Sequence, residues 1–364
     1  MPANQFLDVS LTGSVTVVPP KVRSIEEDVD LFGGNIRQIE RLKKTLGLNE
    51  RRIASKDLTN LDLCEQAARI LLEQLKINSK DLDGILYVTQ TPDHSQPSNA
   101  NLLHGRLGCS TDCAALDVGL GCSGFVYALW LAYSIITNGS SQRVLVLAGD
   151  TLSRLVNPKD RATSSLFGDA GSATMVEKRF GSGLSWFRLG SDGRGSDSLI
   201  VPAGGARLPF TEETAVEYAD DDGNIRTKEN LFMDGSEVFN FSIEVIPEEI
   251  KALLDYAGVS RDAVDYFVLH QANRYMVHNI GKRLRVDLER CPVESFGAFG
   301  NISSASIPGA LAYELANPLY SENKVKASHQ VIFSGFGVGL SWGSCLLNLS
   351  DLGCLEWRVY EATI

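Results

Sequence analysis

Blocks of different hydrophobic period succeed one another along this chain. From Phe125 to Ile136 nearly every residue is apolar. A helix without a polar face belongs in a core, and this one is shorter than the ~20 apolar residues a membrane span needs. Two further segments are amphipathic: Leu63–Ile77, with Cys64, Ala68, Leu71 and Leu75 on one helical face, and Ile246–Val259. Each leads into a string that opens on serine (Ser79, Ser260), carries Asp third, runs into an apolar strand and ends in glutamine (Gln90, Gln271). The strings lie half a chain apart, and two copies of one helix, turn and strand unit are the simplest account. Each half also has an apolar run ending in small residues, at 143–150 and 330–339. Strands apolar on both faces and alternating with helices belong in sheets covered by helices on both sides. The expectation is an α/β protein of two halves, 1–180 and 181–364, packed around shared central helices. A first strand is predicted over 9–18 and a charged helix over 36–46, ended by Gly47. The segment 211–228, with Asp220, Asp221 and Asp222 in a row, lacks apolar periodicity and is expected to be a solvated excursion.

Composition narrows the partners. The chain has 364 residues, 44% of them hydrophobic, a formal charge of −11 and a pI near 5.0. Phosphate binding needs a basic footprint, so no nucleic-acid partner is expected. With no apolar leader and no long apolar run, the expectation is a cytoplasmic protein without a membrane span. Seven scattered cysteines suit reduced thiols better than a disulfide framework. Cys109 and Cys113 lack a second ligand pair, and His94, His104, His278 and His329 show no ligand spacing, so no metal site is expected.

The chemistry centres on Cys122. It precedes the all-apolar helix, flanked by Gly121, Ser123 and Gly124, which let a carbonyl approach the backbone. Unpaired N–H groups and the positive end of a helix dipole favour a thiolate there, so Cys122 is expected to be the most reactive of the seven cysteines. Alone, a cysteine beside a packed helix is more commonly a packing residue. His270 follows the strand 266–269, where loops of an α/β sheet collect functional groups. Asn301 lies between a glycine and a Ser/Ala-rich helix start. A neutral His Nε2–H and an Asn N–H converging on one point can hold a carbonyl oxygen as it becomes an oxyanion. Each also reads as a satisfied core polar group, and it is the pair that favours a site.

Five motifs, in order, carry a family resemblance over nearly the whole chain: GCSGF at 121–125, DR…LFGDAGSA from Asp160 to Ala173, HQAN at 270–273, GNISSASIP at 300–308 and GFGVGLSWGS at 335–344. They resemble the β-ketoacyl-acyl-carrier-protein synthase III family of the thiolase superfamily. The resemblance implies a duplicated, five-layered αβαβα thiolase-like fold, a homodimer, and a triad of Cys122, His270 and Asn301. It implies decarboxylative condensation of an acyl thioester with a malonyl thioester through an acyl-cysteine, with acyl-carrier protein as partner and no metal or redox cofactor. The acyl oxyanion would be held by the backbone N–H groups of Cys122 and Val338, where the family usually has glycine; a valine there is expected to crowd the thiol. Arg161, Ser236, Asn273 and Gln96 fall at substrate-side positions.

Departures also fall on the substrate side. Arg41 and Thr45 stand where the family places a tryptophan and an arginine that clamp the adenine of coenzyme A. Arg274 comes one position earlier than the family's basic residue, a rotation of about 100° on a helix. Gln96 replaces the large apolar residue sent across the dimer interface into the partner's acyl pocket. Alternatives are an acyltransferase acting on an alcohol or amine without decarboxylation, and a non-catalytic partner subunit. A papain-like hydrolase shares the order Cys, His, Asn, but GCSGF and the duplication oppose it.

Overall fold

The computed structural model describes residues 3–316 and 329–362. In chain order, the strands of the two large sheets are β1 (Ala3–Leu7), β2 (Val9–Val18), β3 (Gly84–Val88), β4 (Ala114–Val118), β5 (Arg143–Asp150), β6 (Ala170–Lys178), β7 (Leu184–Ser191), β8 (Tyr266–Leu269), β9 (Gln330–Gly337), β10 (Ser341–Asn348) and β11 (Cys354–Val359). The α-helices are α1 (Ile36–Leu46), α2 (Asn60–Leu75), α3 (Asn99–Leu107), α4 (Gly124–Asn138), α5 (Gly235–Ala257), α6 (Arg274–Leu284), α7 (Glu294–Phe299) and α8 (Ser306–Ala310). One sheet runs β11-β2-β6-β5-β3-β4 and the other β1-β7-β10-β9-β8.

Five layers follow from strand period. On β5, Leu145 and Leu147 pack with α2 and α3 on one outer face, while Val144 and Val146 turn inward. On the second sheet, Ile332 and Phe336 pack against α5 and α6, whereas Val331 and Phe333 turn inward. The two inward faces meet α4 and α8. Because α4 has a sheet on each side, its sequence is apolar all round, and Phe125, Val126, Ala128, Leu129, Ala132 and Ile136 are all buried. This is the αβαβα arrangement.

The repeat is real but one residue out of the expected register. Asn78 and Ser260 are the equivalent caps, each accepting from the N–H two residues on. Leu82 and Val264 are buried alike, and Asp83 and Asp265 accept from the N–H groups that open β5 and β9. Ser79 is thus the counterpart of Arg261, because burial sets the alignment and the shared letters do not. The chain ends cross over as well: β1 is the edge strand of the sheet otherwise built from 184–348, and β11 that of the sheet otherwise built from 9–178. The segment 211–228 is only partly solvated. It holds a short hairpin, Tyr218–Ala219 with Ile225–Arg226, in which buried Arg226 pairs with Asp160 and Asp220. No helix among the described residues is long and apolar enough to cross a membrane.

Candidate active site

After β4 the chain turns through Gly119–Gly121 into α4, and Cys122 is buried in this turn. Gly124 N–H closes it on the Gly121 carbonyl at 2.8 Å. Neighbours come close on both sides: a Cβ at Gly121 would lie 2.6 Å from the Gln90 amide, and one at Gly335 2.6 Å from the Cys122 carbonyl oxygen. A Cβ at Gly337 would stand 3.2 Å from Cys122 Sγ. Ser123 does not cap α4; its hydroxyl shares a 2.7 Å hydrogen bond with that of Ser341.

His270 continues β8, its N–H donating to the Ser334 carbonyl at 2.8 Å. Its Nδ1 is held by the Ser306 hydroxyl at 2.7 Å, which leaves Nε2 as the ring nitrogen for the cavity. The ring meets Phe336 edge to face. Burial pushes its pKa down to about 3, so the imidazole is neutral at ordinary pH. Asn301 follows Gly300, whose φ of +74° and a 2.9 Å approach to the Leu166 carbonyl exclude a side chain. Asn301 N–H donates to Leu166 O, and Asn301 O accepts from Gly168 N–H. Its side-chain Oδ1 accepts from Ser303 N–H at 3.0 Å, which leaves the amide nitrogen free for a ligand.

Cys122, His270 and Asn301, one from each of three distant segments, line a single cavity of about 380 Å³. Its walls are largely apolar, with Leu46, Phe167, Leu199, Met233, Phe239 and Met276 among them. Such a site suits an apolar ligand that carries a polar group where the three side chains converge. Among the described residues no group of three or more His, Cys, Asp or Glu is placed to hold a metal.

The family models for 3-oxoacyl-[acyl-carrier-protein (ACP)] synthase III match residues 116–193 and, for its C-terminal part, 254–349. A putative 3-oxoacyl-[acyl-carrier-protein] synthase 3 of Campylobacter jejuni is 35% identical over 98% of this chain and 98% of its own. The β-ketoacyl-[acyl-carrier-protein] synthase III of Clostridioides difficile is 36% identical over 83% of this chain and 87% of its own. A crystal structure of the 3-oxoacyl-(acyl-carrier protein) synthase of Burkholderia xenovorans superimposes with a TM-score of 0.90, at 36% identity, over 99% of both chains. The chain belongs to the β-ketoacyl-acyl-carrier-protein synthase III family. It is a condensing acyltransferase of thiolase-like fold.

Against the synthase III pattern, Ser236 and Asn273 line the cavity, and Asn273 also caps α6 by accepting from Met276 N–H. Arg161 does not reach it. That side chain is exposed and donates to the Asp222 carbonyl at 2.7 Å. Gln96, beside a cis bond to Pro97, is exposed and outside this chain's cavity. The position at which a side chain would crowd the thiol is 337, a glycine, whereas the Val338 side chain packs with the cluster of Leu152, Phe167, Leu199 and Leu231. Arg274 packs over Gly47 and pairs with Glu294, which leaves the half-exposed ring of Tyr275, stacked on Phe239, at the next position. Arg41 and Thr45 line a shallow groove that shares Leu46 with the cavity.

Two expectations about thiols change. Burial pushes the Cys122 thiol up to about 12, against the helix start and the Ser303 hydroxyl, and buried Asp150 adds to the rise. Cys109, half-buried, is instead drawn down to about 7 by a hydrogen bond from Cys113. Sequence reasoning also missed Gln90, Ser303 and Ser306. The two serines sat within a quoted motif, but nothing in their spacing told which hydroxyl meets the sulfur and which the imidazole.

Proposed function

We propose that Cys122 is the acyl-accepting nucleophile and that His270 and Asn301 hold the malonyl thioester. In this scheme the Cys122 sulfur attacks an acyl thioester carbonyl, and the backbone N–H groups of Cys122 and Val338 receive the oxyanion. The collapse expels the carrier thiolate, which takes up the proton that the Cys122 thiol gives up. His270 Nε2–H and the Asn301 amide then hold the malonyl thioester oxygen as carbon dioxide leaves, and the carbanion attacks the acyl-cysteine, releasing the Cys122 thiolate, which takes a proton back from water. A neutral imidazole suits this role, because a donor is needed while no net proton is moved. The observation that carries the reading is the convergence of the three side chains on one cavity, with Asn301 Oδ1 and His270 Nδ1 already occupied. The scheme calls for no metal or redox cofactor.

Acyl-carrier protein is the donor this reading favours. A carrier inserts only its pantetheine arm, whereas coenzyme A would need the aromatic clamp that Arg41 and Thr45 do not supply. Ser236 and Asn273 would touch the arm, Gln96 would act in a partner's acyl pocket, and the acyl group would be longer than acetyl. Arg161 keeps a phosphate role only if it leaves the Asp222 carbonyl. A homodimer is supported by β4, a sheet edge on which Leu116 is exposed. A cytoplasmic setting is supported by seven free cysteines.

The test separates two half-reactions by mass spectrometry of the protein and by carbon dioxide release from a malonyl thioester. Asn301→Ala should accumulate acyl-enzyme yet decarboxylate about 10²–10³ times more slowly, as loss of one oxyanion donor does elsewhere. Cys122→Ala should take no acyl group. An Asn301→Ala protein that loses acylation and keeps decarboxylation reverses the assignment.

A further inference from the structure

The side chains of a buried polar cluster behind Cys122 have no part in the scheme above. At its centre is Ser303, fully buried and held at φ +51°, a backbone conformation unfavourable for a residue with a Cβ. Its N–H donates to Asn301 Oδ1. Its hydroxyl oxygen lies 3.0 Å from Gln90 Nε2 and 3.8 Å from Cys122 Sγ.

The direction of the hydrogen bonds follows from the donor count. A hydroxyl has one proton and two lone pairs. Gln90 Nε2 donates into a lone pair of Ser303 Oγ, so the Ser303 proton is left for one of two neighbouring acceptors, the Cys122 sulfur and the Asp150 carboxylate, and both oxygens of the latter already accept from Gln90, Thr89 and Ser304. Gln90 is itself fixed: its N–H donates to Asp150 Oδ1 at 2.7 Å, and its amide lies against Gly121. Asp150 Oδ2 is taken by the Ser304 hydroxyl at 2.6 Å. The groups facing the sulfur are therefore buried Asp150, which opposes a negative charge, neutral His270, and the start of α4 and the Ser303 hydroxyl, which favour one.

We propose that Ser303 is a catalytic residue that donates a hydrogen bond to the Cys122 sulfur and stabilises its thiolate, and that Gln90 is the positioning residue that orients the Ser303 hydroxyl. The inference rests on Cys122 being the nucleophile. No proton is transferred. The bond strengthens as the sulfur becomes anionic, since hydrogen bonds to charged groups are about twice as strong as neutral ones. It acts twice per turnover, when the thiolate attacks the donor and when condensation expels it. The same burial that pushes the thiol up makes such a donor effective, because low dielectric strengthens each polar contact.

The experiment follows iodoacetamide modification of Cys122 over a pH series, by mass of the peptide that contains it, alongside acylation of the intact protein by acyl-carrier protein thioesters. Ser303→Ala should raise the apparent pKa of Cys122 by about one unit and slow its modification about tenfold at pH below that pKa. Ser303→Gly suits the left-handed backbone and should do the same, which keeps the test readable if the alanine variant does not fold. Gln90→Met should give a smaller rise alone and none in the Ser303→Ala background. A native protein that takes acyl groups on a residue other than Cys122 overturns the nucleophile assignment. Native acylation on Cys122 with an unchanged profile in both Ser303 variants overturns the Ser303 donor. Additive shifts in the double variant overturn the part given to Gln90.

Discussion

Gly337→Ala adds one methyl group beside the sulfur and tests the site through space alone. Gly337 does not have a left-handed backbone, so alanine meets no torsional objection there. The new Cβ would lie 3.0 Å from Cys122 Cβ and 3.2 Å from Sγ. Ordinary carbon contacts fall at about 3.5–4.0 Å, so β9 and the Cys122 turn must part by roughly half an ångström. Overpacking of that kind costs about 1–3 kcal/mol of stability. A misplacement of about 1 Å at a reacting atom costs on the order of 100-fold in rate, so half as much is expected to slow acylation by about 10-fold or more. The assay is rapid-quench mass spectrometry of acyl-enzyme formation, with thermal unfolding to show that the variant is folded. Decarboxylation should fall less, because its donors come from the β8 end and the loop after α7. A folded variant that acylates at the native rate refutes the argument, since the sulfur would have room that the glycine contacts deny.

Alkylation should distinguish two thiols by position as well as by pH. At neutral pH limiting iodoacetamide should modify half-buried Cys109 before Cys122 with condensation activity retained, and modification of Cys109 should rise as pH passes about 7. Peptide mapping that finds Cys122 first refutes the order drawn from burial. The donor is tested by comparing kcat/KM for one acyl group on coenzyme A and on carrier protein. Base stacking on an aromatic ring is worth roughly 1–3 kcal/mol, so Arg41→Trp with Thr45→Arg should improve the coenzyme A thioester by about 5- to 150-fold. A native preference for coenzyme A would show that Arg41 and Thr45 do not limit nucleotide binding.

What could be read from the chain was what periodicity encodes. The helix from Ile36 to Leu46 with its Gly47 cap, the strand from Val9 to Val18 and the buried α4 all stand where the pattern put them. β2 is buried at all ten of its positions and α4 has no polar face, while Gly47 marks the end of α1, so local letters sufficed. The repeat register slipped by one because Ser-x-Asp matched as text while Leu82 and Val264 match as core. Arg226 escaped notice because its partner Asp160 is distant in sequence. The walls of the cavity were equally hidden: Leu46, Leu166 and Met233 come from separate segments, and only the fold makes them neighbours. Glycines at 121, 335 and 337 carried a signal of close approach, but not which of them faces sulfur.

The crossing of the chain ends sets the order in which this protein can become whole. β2 pairs with β11 in parallel, Gly13 beside Cys354 and Val18 beside Val359. During synthesis, the outer edge of β2 therefore has no partner until Cys354–Val359 has left the ribosome. β1 likewise waits for Leu184–Ser191 to receive it. Contacts so distant in sequence close late and slowly, and an open strand edge invites pairing with other chains. The nascent chain must therefore stay soluble with its earliest strands unsatisfied. Loss of Cys354–Val359 would leave that condition permanent, exposing the edge of a sheet whose opposite end leads into the Cys122 turn.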